Sequence, residues 1–152
     1  MDDVLELERF LPYRLNRLAE AVSRDFARTY RERLGLTRPE WRLLATLGQF
    51  GTMTATAVGA HSAMHKTKVS RAVAALEKRG WLARATDTDD RRIERLTLTS
   101  RGAATYRDMV PVAKAFEARI EALMGGKDRA SLARGLAALE KAMATDLRER
   151  QG

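Results

Sequence analysis

Residues 64–101, MHKTKVSRAVAALEKRGWLARATDTDDRRIERLTLTSR, decide the fold. Apolar side chains recur at Val69, Ala72, Val73 and Leu76, the i, i+3, i+4, i+7 spacing that turns one stripe of a helix toward a core. His65, Lys66, Lys68, Ser70, Arg71, Ala75 and Lys78 fall on the opposite face, so the predicted helix is basic on its outer side. Glu77-Lys78-Arg79-Gly80 closes it, because cations suit the negative end of a helix and glycine accepts the left-handed conformation just beyond it.

From Trp81 the hydrophobic period changes to two. Trp81-Leu82-Ala83-Arg84 and Ile93-Glu94-Arg95-Leu96-Thr97-Leu98 read as short strands, and the polar, aspartate-rich residues 85–92 between them read as a hairpin tip. A basic helix followed by a hairpin with arginines at its tip predicts a winged helix-turn-helix.

Working outward, Thr54 is a suitable N-cap for a short helix from Ala55 to about His61, with Ser62-Ala63-Met64 as the turn into the basic helix. Ala57, Val58, Gly59 and Ala60 are small enough for two helices to cross closely, and Thr52-Met53 can add a short strand to the hairpin. Upstream, Thr37-Arg38-Pro39-Glu40 is a capping box for a helix ending near Phe50-Gly51. Downstream, Thr99 or Ser100 caps a helix that Pro111 should kink and Gly125-Gly126 should break.

Long helices flank this lobe. Leu7, Leu11, Leu15, Leu18, Val22, Phe26, Tyr30 and Leu34 form one continuous seam, regular from about Leu11 and ended by Gly35. Leu132, Leu136, Leu139, Met143 and Leu147 form another in a helix from about Asp128 to Arg150. Helices this long outreach a small core, which predicts that part of each seam meets a second chain. The expected fold is mainly α with a small β-hairpin wing. It makes a single domain over 1–152, with a winged lobe at about 36–100 and a helical dimerisation region at about 5–35 and 101–150.

Composition agrees with these elements and excludes others. Apolar residues at 45% can build a core, and the charged fraction of 32% beside only 6% aromatics favours helices over a sandwich. Of the net charge of +8, most lies in residues 61–101, which hold ten Lys or Arg and five acids. That placement fits a polyanion partner, although a solvated basic surface accounts for the charge equally well. Cysteine is absent, which rules out disulfides and thiol chemistry. No apolar run approaches a bilayer span and the acidic start Met1-Asp2-Asp3 is unlike a signal peptide, so a cytoplasmic protein is expected. His61 and His65 lie four apart but lack further ligands for a metal, and Asp89-Asp90 beside two arginines is a poor acid-base pair. No phosphate loop or nucleophile elbow is present, so neither an enzyme nor a cofactor is expected.

Taken in order, Val69-Ser70-Arg71, Leu76-Glu77-Lys78-Arg79-Gly80, Arg84, Asp90-Arg91-Arg92 and Leu98-Thr99-Ser100-Arg101-Gly102 resemble the MarR family of bacterial transcription regulators over nearly the whole chain. The resemblance implies a homodimer, formed by the terminal helices, that binds a palindromic double-stranded DNA operator. It places His65, Lys66, Thr67, Lys68, Ser70 and Arg71 in the major groove, Arg71 being the best candidate for a bidentate contact. At the wing it places Arg92 in the minor groove, oriented by Asp90, with Arg91 on the backbone, and it counts Arg84 with these as a DNA-binding residue of the wing. Without the motif, Asp90 and Arg92 read as an ordinary exposed ion pair.

Many relatives release DNA when a small aromatic or acidic ligand binds. Tyr13, Arg14, Arg17, Trp41 and Arg42 are the candidates for such a crevice here, although Trp41, an apolar residue at helical spacing, reads first as core. The implied function is a ligand-responsive repressor; the alternative is a ligand-sensing or protein-binding adaptor without direct DNA readout. Val58, Gly59, Ala63 and Met64 depart from the usual family pattern and leave the angle of the basic helix open.

Overall fold

The computed structural model describes residues 3–152. A single 3-10 turn, Leu7–Arg9, precedes α1 (Leu11–Leu34), with Pro12 in its first turn, where the missing N–H breaks no helical hydrogen bond. Gly35 ends α1 with φ 65°, its N–H donating to the Arg31 carbonyl. Next comes α2 (Arg38–Phe50), which begins with the full capping box. Thr37 Oγ1 accepts from the Glu40 N–H, and the Glu40 carboxylate accepts from the Thr37 N–H at 2.8 Å.

Strand β1 (Met53–Thr54) leads into α3 (Ala55–Ser62), capped by the Thr54 hydroxyl, and then α4 (Lys66–Lys78). The corner between α3 and α4 is made by Ala63, a non-glycine residue held at φ 52°. Strands β2 (Leu82–Thr86) and β3 (Glu94–Leu98) form the hairpin, and β1 joins the far side of β3 to give an antiparallel sheet in the order β1-β3-β2. Met53 pairs with Leu96 on one side of β3, and Arg84 pairs with Leu96 on the other. The chain then continues as α5 (Ser100–Met124) and α6 (Gly126–Gln151).

Two compact units result, divided between Val110 and Pro111. The first holds the core. Leu43, Leu44, Leu47, Val58, Val69, Ala72, Val73, Leu76, Leu82 and Leu96 are buried between the helices and one face of the sheet, joined by Tyr30 and Leu36 from the end of α1 and the loop after it. A leucine of this kind contributes about 1.5–3 kcal/mol on burial, so the stripe on α4 is a main anchor of the lobe. Thr46, a buried polar residue in this core, donates to the Arg42 carbonyl and shares a hydrogen bond with Ser62. Phe26, Tyr30 and Trp41 pack as an aromatic group, Tyr30 and Trp41 stacked at 5.6 Å, and this fixes α2 on α1.

Two glycines permit close approaches. A Cβ on Gly102 would overlap the Trp81 carbonyl oxygen, and one on Gly48 would enter the Tyr106 ring. Thr99 completes the first of these junctions. Its N–H donates to the Trp81 carbonyl, its hydroxyl donates to the Gly80 carbonyl at 2.6 Å, and the same oxygen accepts from the Gly102 N–H.

Some element ends differ from the expected ones. Trp81 lies outside the first strand because its N–H turns back to the Leu76 carbonyl, closing α4, and the strand therefore runs from Leu82 to Thr86. Ile93 exchanges hydrogen bonds with the turn residues Asp87 and Asp90, so the second strand starts at Glu94. Gly125 alone, at φ 81°, separates the last two helices, and α6 begins at Gly126 rather than near Asp128. Pro111 stands inside α5, which is helical from Ser100 to Met124. Ala75, expected on the outer face of α4, is half-buried.

Large apolar side chains remain exposed in both units. Leu11, Leu15, Leu18 and Val22 on the first half of α1 are between 37% and 57% exposed, whereas Ala27 and Tyr30 further along are buried. On α6, Leu132, Leu136, Met143 and Leu147 are exposed and no residue is buried.

Candidate nucleic-acid interface

The outer face of α4 is built by its inner one. Burial of Val69, Ala72, Val73 and Leu76 leaves Lys66, Thr67, Lys68, Ser70 and Arg71 exposed, and Lys66, Lys68 and Arg71 bring three cations to the first six residues of the helix. His65 is also exposed but has a local task as well: its Nδ1 accepts from the Thr67 N–H at 3.2 Å and caps α4. His61 is on α3 with its ring edge against Phe50, so the two histidines have separate surroundings. Among the described residues no group of three His, Cys, Asp or Glu is placed to hold a metal ion.

The wing is held by paired charges along its length. Arg92 donates through Nε and Nη2 to the two carboxylate oxygens of Asp90 at 3.1 and 3.0 Å, and its backbone N–H donates to the same group. The Arg92 side chain is nevertheless 90% exposed, so the guanidinium is oriented and still presented outward. Behind it, Asp87 accepts from the Asp90 N–H and from Arg95 Nε at 3.2 Å. Hydrogen bonds from Arg92 hold the Asp90 carboxyl below its ordinary value, and those from Arg95 do the same for Asp87. Arg91 is exposed at the tip.

Arg84 stands elsewhere. Its guanidinium lies between Glu77 of α4, at 3.2 Å, and Glu94 of β3, at 3.6 Å, so it ties the wing to the end of α4. Glu77 was read only as part of the helix end, and Asp87, Glu94 and Arg95 were given no role from sequence; the opposite charges adjacent on β3 are a signal for Glu94 and Arg95 alone. Arg79 was read only as a helix-ending cation. It donates to the Leu34 and Gly35 carbonyls at 2.7 and 2.9 Å and lies over the Trp81 ring, joining the end of α4 to the end of α1.

The five residues expected at a ligand crevice fall on two cavities. Tyr13, Arg14 and Arg17 line an open hollow of about 530 Å3 beside Leu11, Leu15 and Leu18, with Arg17 over the Tyr13 ring. Trp41 and Arg42 line a smaller one of about 250 Å3 with Thr46 and His61, while the Trp41 ring also belongs to the aromatic group on α1.

A three-helix lobe with a capped basic helix and a hairpin beside it is a winged helix-turn-helix, the architecture of a large class of transcription regulators. The sequence model of the MarR family matches residues 36–93, the part from the second helix to the wing. A MarR family transcriptional regulator from Silicibacter pomeroyi DSS-3 superposes with a TM-score of 0.80 at 30% identity, over 93% of this chain and 99% of that one. The chain belongs to the MarR family of transcriptional regulators, whose members are generally transcription factors rather than enzymes. A probable transcriptional regulator from Pseudomonas aeruginosa matches at 25% identity and a TM-score of 0.75, over 88% of this chain and 99% of its own. BpsR of Bordetella bronchiseptica shares the fold, with a TM-score of 0.78 at 22% identity over 91% and 98%. No curated protein matches the sequence. No helix among the described residues is long and apolar enough to cross a membrane.

Proposed function

We propose that the chain is a homodimeric repressor that binds a palindromic operator and leaves it when a small acidic aromatic ligand binds. The observation that carries this reading is the exposed cationic face at the start of α4, set on a buried apolar stripe beside an outward-facing Arg92. Residues His65 to Lys68, Ser70 and Arg71 enter the major groove, while Arg92 reaches the minor groove and Arg91 lies on the DNA backbone. Arg92 comes already aligned by Asp90, and Arg84 acts as the brace of the wing. The exposed seams of α1 and α6 are the surfaces a second copy covers, which would place two such lobes on one duplex.

The ligand class follows from chemistry and from relatives. Arginines and aromatic rings around the candidate cavities suit a carboxylate on a ring. The DNA binding of BpsR is regulated by 6-hydroxynicotinic acid, and NadR forms a complex with 4-hydroxyphenylacetate. Both ligands are hydroxylated aromatic acids. Footprinting on the DNA upstream of the chain's own gene tests the proposal. Two protected half-sites about 10 base pairs apart are expected, and a single unpaired site or none would overturn it.

A further inference from the structure

We infer that the first unit carries a separate site for a small, multiply charged phosphate-type anion, in a cavity between α1, α2 and the start of α4. The cavity measures about 600 Å3, within the range of small-molecule sites. Arg31, Arg38, Arg42 and Lys68 line it with His65, and the one carboxylate among its lining residues is Glu20. Both Glu20 oxygens are taken by Arg38, at 2.8 and 3.2 Å, so Glu20 orients one cation and leaves the others unbalanced.

Four permanent cations facing one engaged carboxylate exceed what a monocarboxylate would neutralise. With the Arg38 fork engaged by Glu20, the forks of Arg31 and Arg42 and the Lys68 ammonium remain to match the several oxygens of adjacent phosphate groups. The N-terminus of α2 supplies no donors of its own to the anion, since Thr37 and Glu40 already satisfy each other there. Pro39, Ala63 and Met64 supply apolar wall, giving room for more than a bare ion. This cavity shares only Arg42 with the residues proposed for an aromatic acid.

Its position has a regulatory consequence that rests on the DNA-binding reading above. Lys68 and His65 belong both to the cavity and to the groove-facing end of α4, so an anion that engages them competes with DNA phosphates for the same groups.

Isothermal titration of the full chain with pyrophosphate, without DNA and at fixed ionic strength, tests the site. Saturable binding of one pyrophosphate per chain is expected, weakened about tenfold or more in Arg31→Ala/Arg42→Ala and also weakened in Lys68→Ala, whose exposed position spares the fold. Arg33→Ala/Arg107→Ala removes equal charge outside the cavity and should bind as the parent does. Benzoate at the same ionic strength should bind far more weakly at this site. No saturable binding, equal loss in both double variants, or benzoate binding as tight as pyrophosphate would each overturn the assignment. Comparison with adenosine diphosphate separates sources: tighter binding supports a phosphorylated metabolite, equal binding supports inorganic polyphosphate. A second titration against a labelled duplex reads the competition, and a duplex that stays bound at saturating pyrophosphate refutes it. A chain that binds no duplex leaves the first titration intact, so the two readings fail separately.

Discussion

Arg79 donates a 2.7 Å hydrogen bond to the carbonyl of Leu34, forty-five residues earlier, so the end of the basic helix α4 caps the end of the long helix α1. The last carbonyls of a helix have no partner within it, and here a guanidinium supplies one to Leu34 and another to Gly35. The orientation of α4 is therefore set from the same helix whose first half carries the exposed apolar seam.

Replacing Arg79 tests that tie. Arg79→Met keeps much of the aliphatic stem over Trp81 but removes both donors, and should lower stability by about 1–3 kcal/mol. Urea unfolding followed by tryptophan fluorescence reads the change. An unaltered midpoint would mean that solvent caps α1 equally well.

The wing makes a different prediction, because its tip supports no core. Arg92→Ala should weaken operator binding about tenfold, taking ~1–3 kcal/mol for a charge-assisted contact, while thermal stability and dimer mass stay unchanged. Asp90→Asn keeps the arginine but loosens its alignment and should give a smaller loss. Affinities measured at several salt concentrations decide it: undiminished binding by Arg92→Ala would remove Arg92 from the interface.

Gly102 sits where a Cβ would collide with the Trp81 carbonyl, at the junction of α4, the wing and α5. Gly102→Ala should destabilise the lobe by about 1–3 kcal/mol, the usual cost of overpacking. Gly135 on α6, which has open space around it, is the control: Gly135→Ala should be neutral or gain up to about 1 kcal/mol from helix propensity. Equal midpoints for the two variants would show that the Trp81 loop yields freely.

Acid should loosen the same lobe in a defined window. Glu20, Asp87 and Asp90 are all held below their ordinary values of 4.5, 3.8 and 3.8, in each case chiefly by a hydrogen bond from an arginine: Arg38, Arg95 and Arg92 respectively. A carboxylate with a lowered folded value contributes stability that is fully present above the ordinary value and lost as pH falls through the folded one. Melting temperatures followed downward from neutral pH should thus begin to fall near these ordinary values. The fall should be shallower in Glu20→Gln, which has no such proton to take up, and identical curves would exclude the Glu20–Arg38 pair as a contributor.

The apolar seam is tested by charge. Leu15→Glu/Leu18→Glu places carboxylates on the exposed face of α1 and should shift the chain toward monomer in sedimentation experiments, with weaker operator binding as a result. Unchanged sedimentation would take this half of α1 out of the interface.

Much of the architecture was legible because its signals are local. The Thr37–Glu40 capping box, Gly35 and the stripe on α4 each lie within one or two turns of chain, and each formed where the spacing put it. Asp90 and Arg92 could be paired for the same reason. Element ends were harder where one residue serves two elements: Trp81 closes a helix through its N–H and accepts from Thr99 through its carbonyl, which alternation alone does not reveal. Least legible were ties between distant segments, Arg38 to Glu20 and Arg79 to Leu34, since nothing in sequence says which cation faces which oxygen across the fold. Arg84 shows the same limit, as its motif position did not disclose that two glutamates hold it.

The two-part burial of α1 carries a consequence for mass action. Tyr30 and Ala27 complete the lobe's interior, while Leu11, Leu15, Leu18 and Val22 on the same rod are exposed and, in the dimer proposed above, would be covered by a second copy. A ligand of the native state stabilises it in proportion to the logarithm of its concentration, and here that ligand would be another copy of the chain. Dilution would then cost the lobe some of its own folding stability, making cellular abundance itself an input to how well each α4 is held.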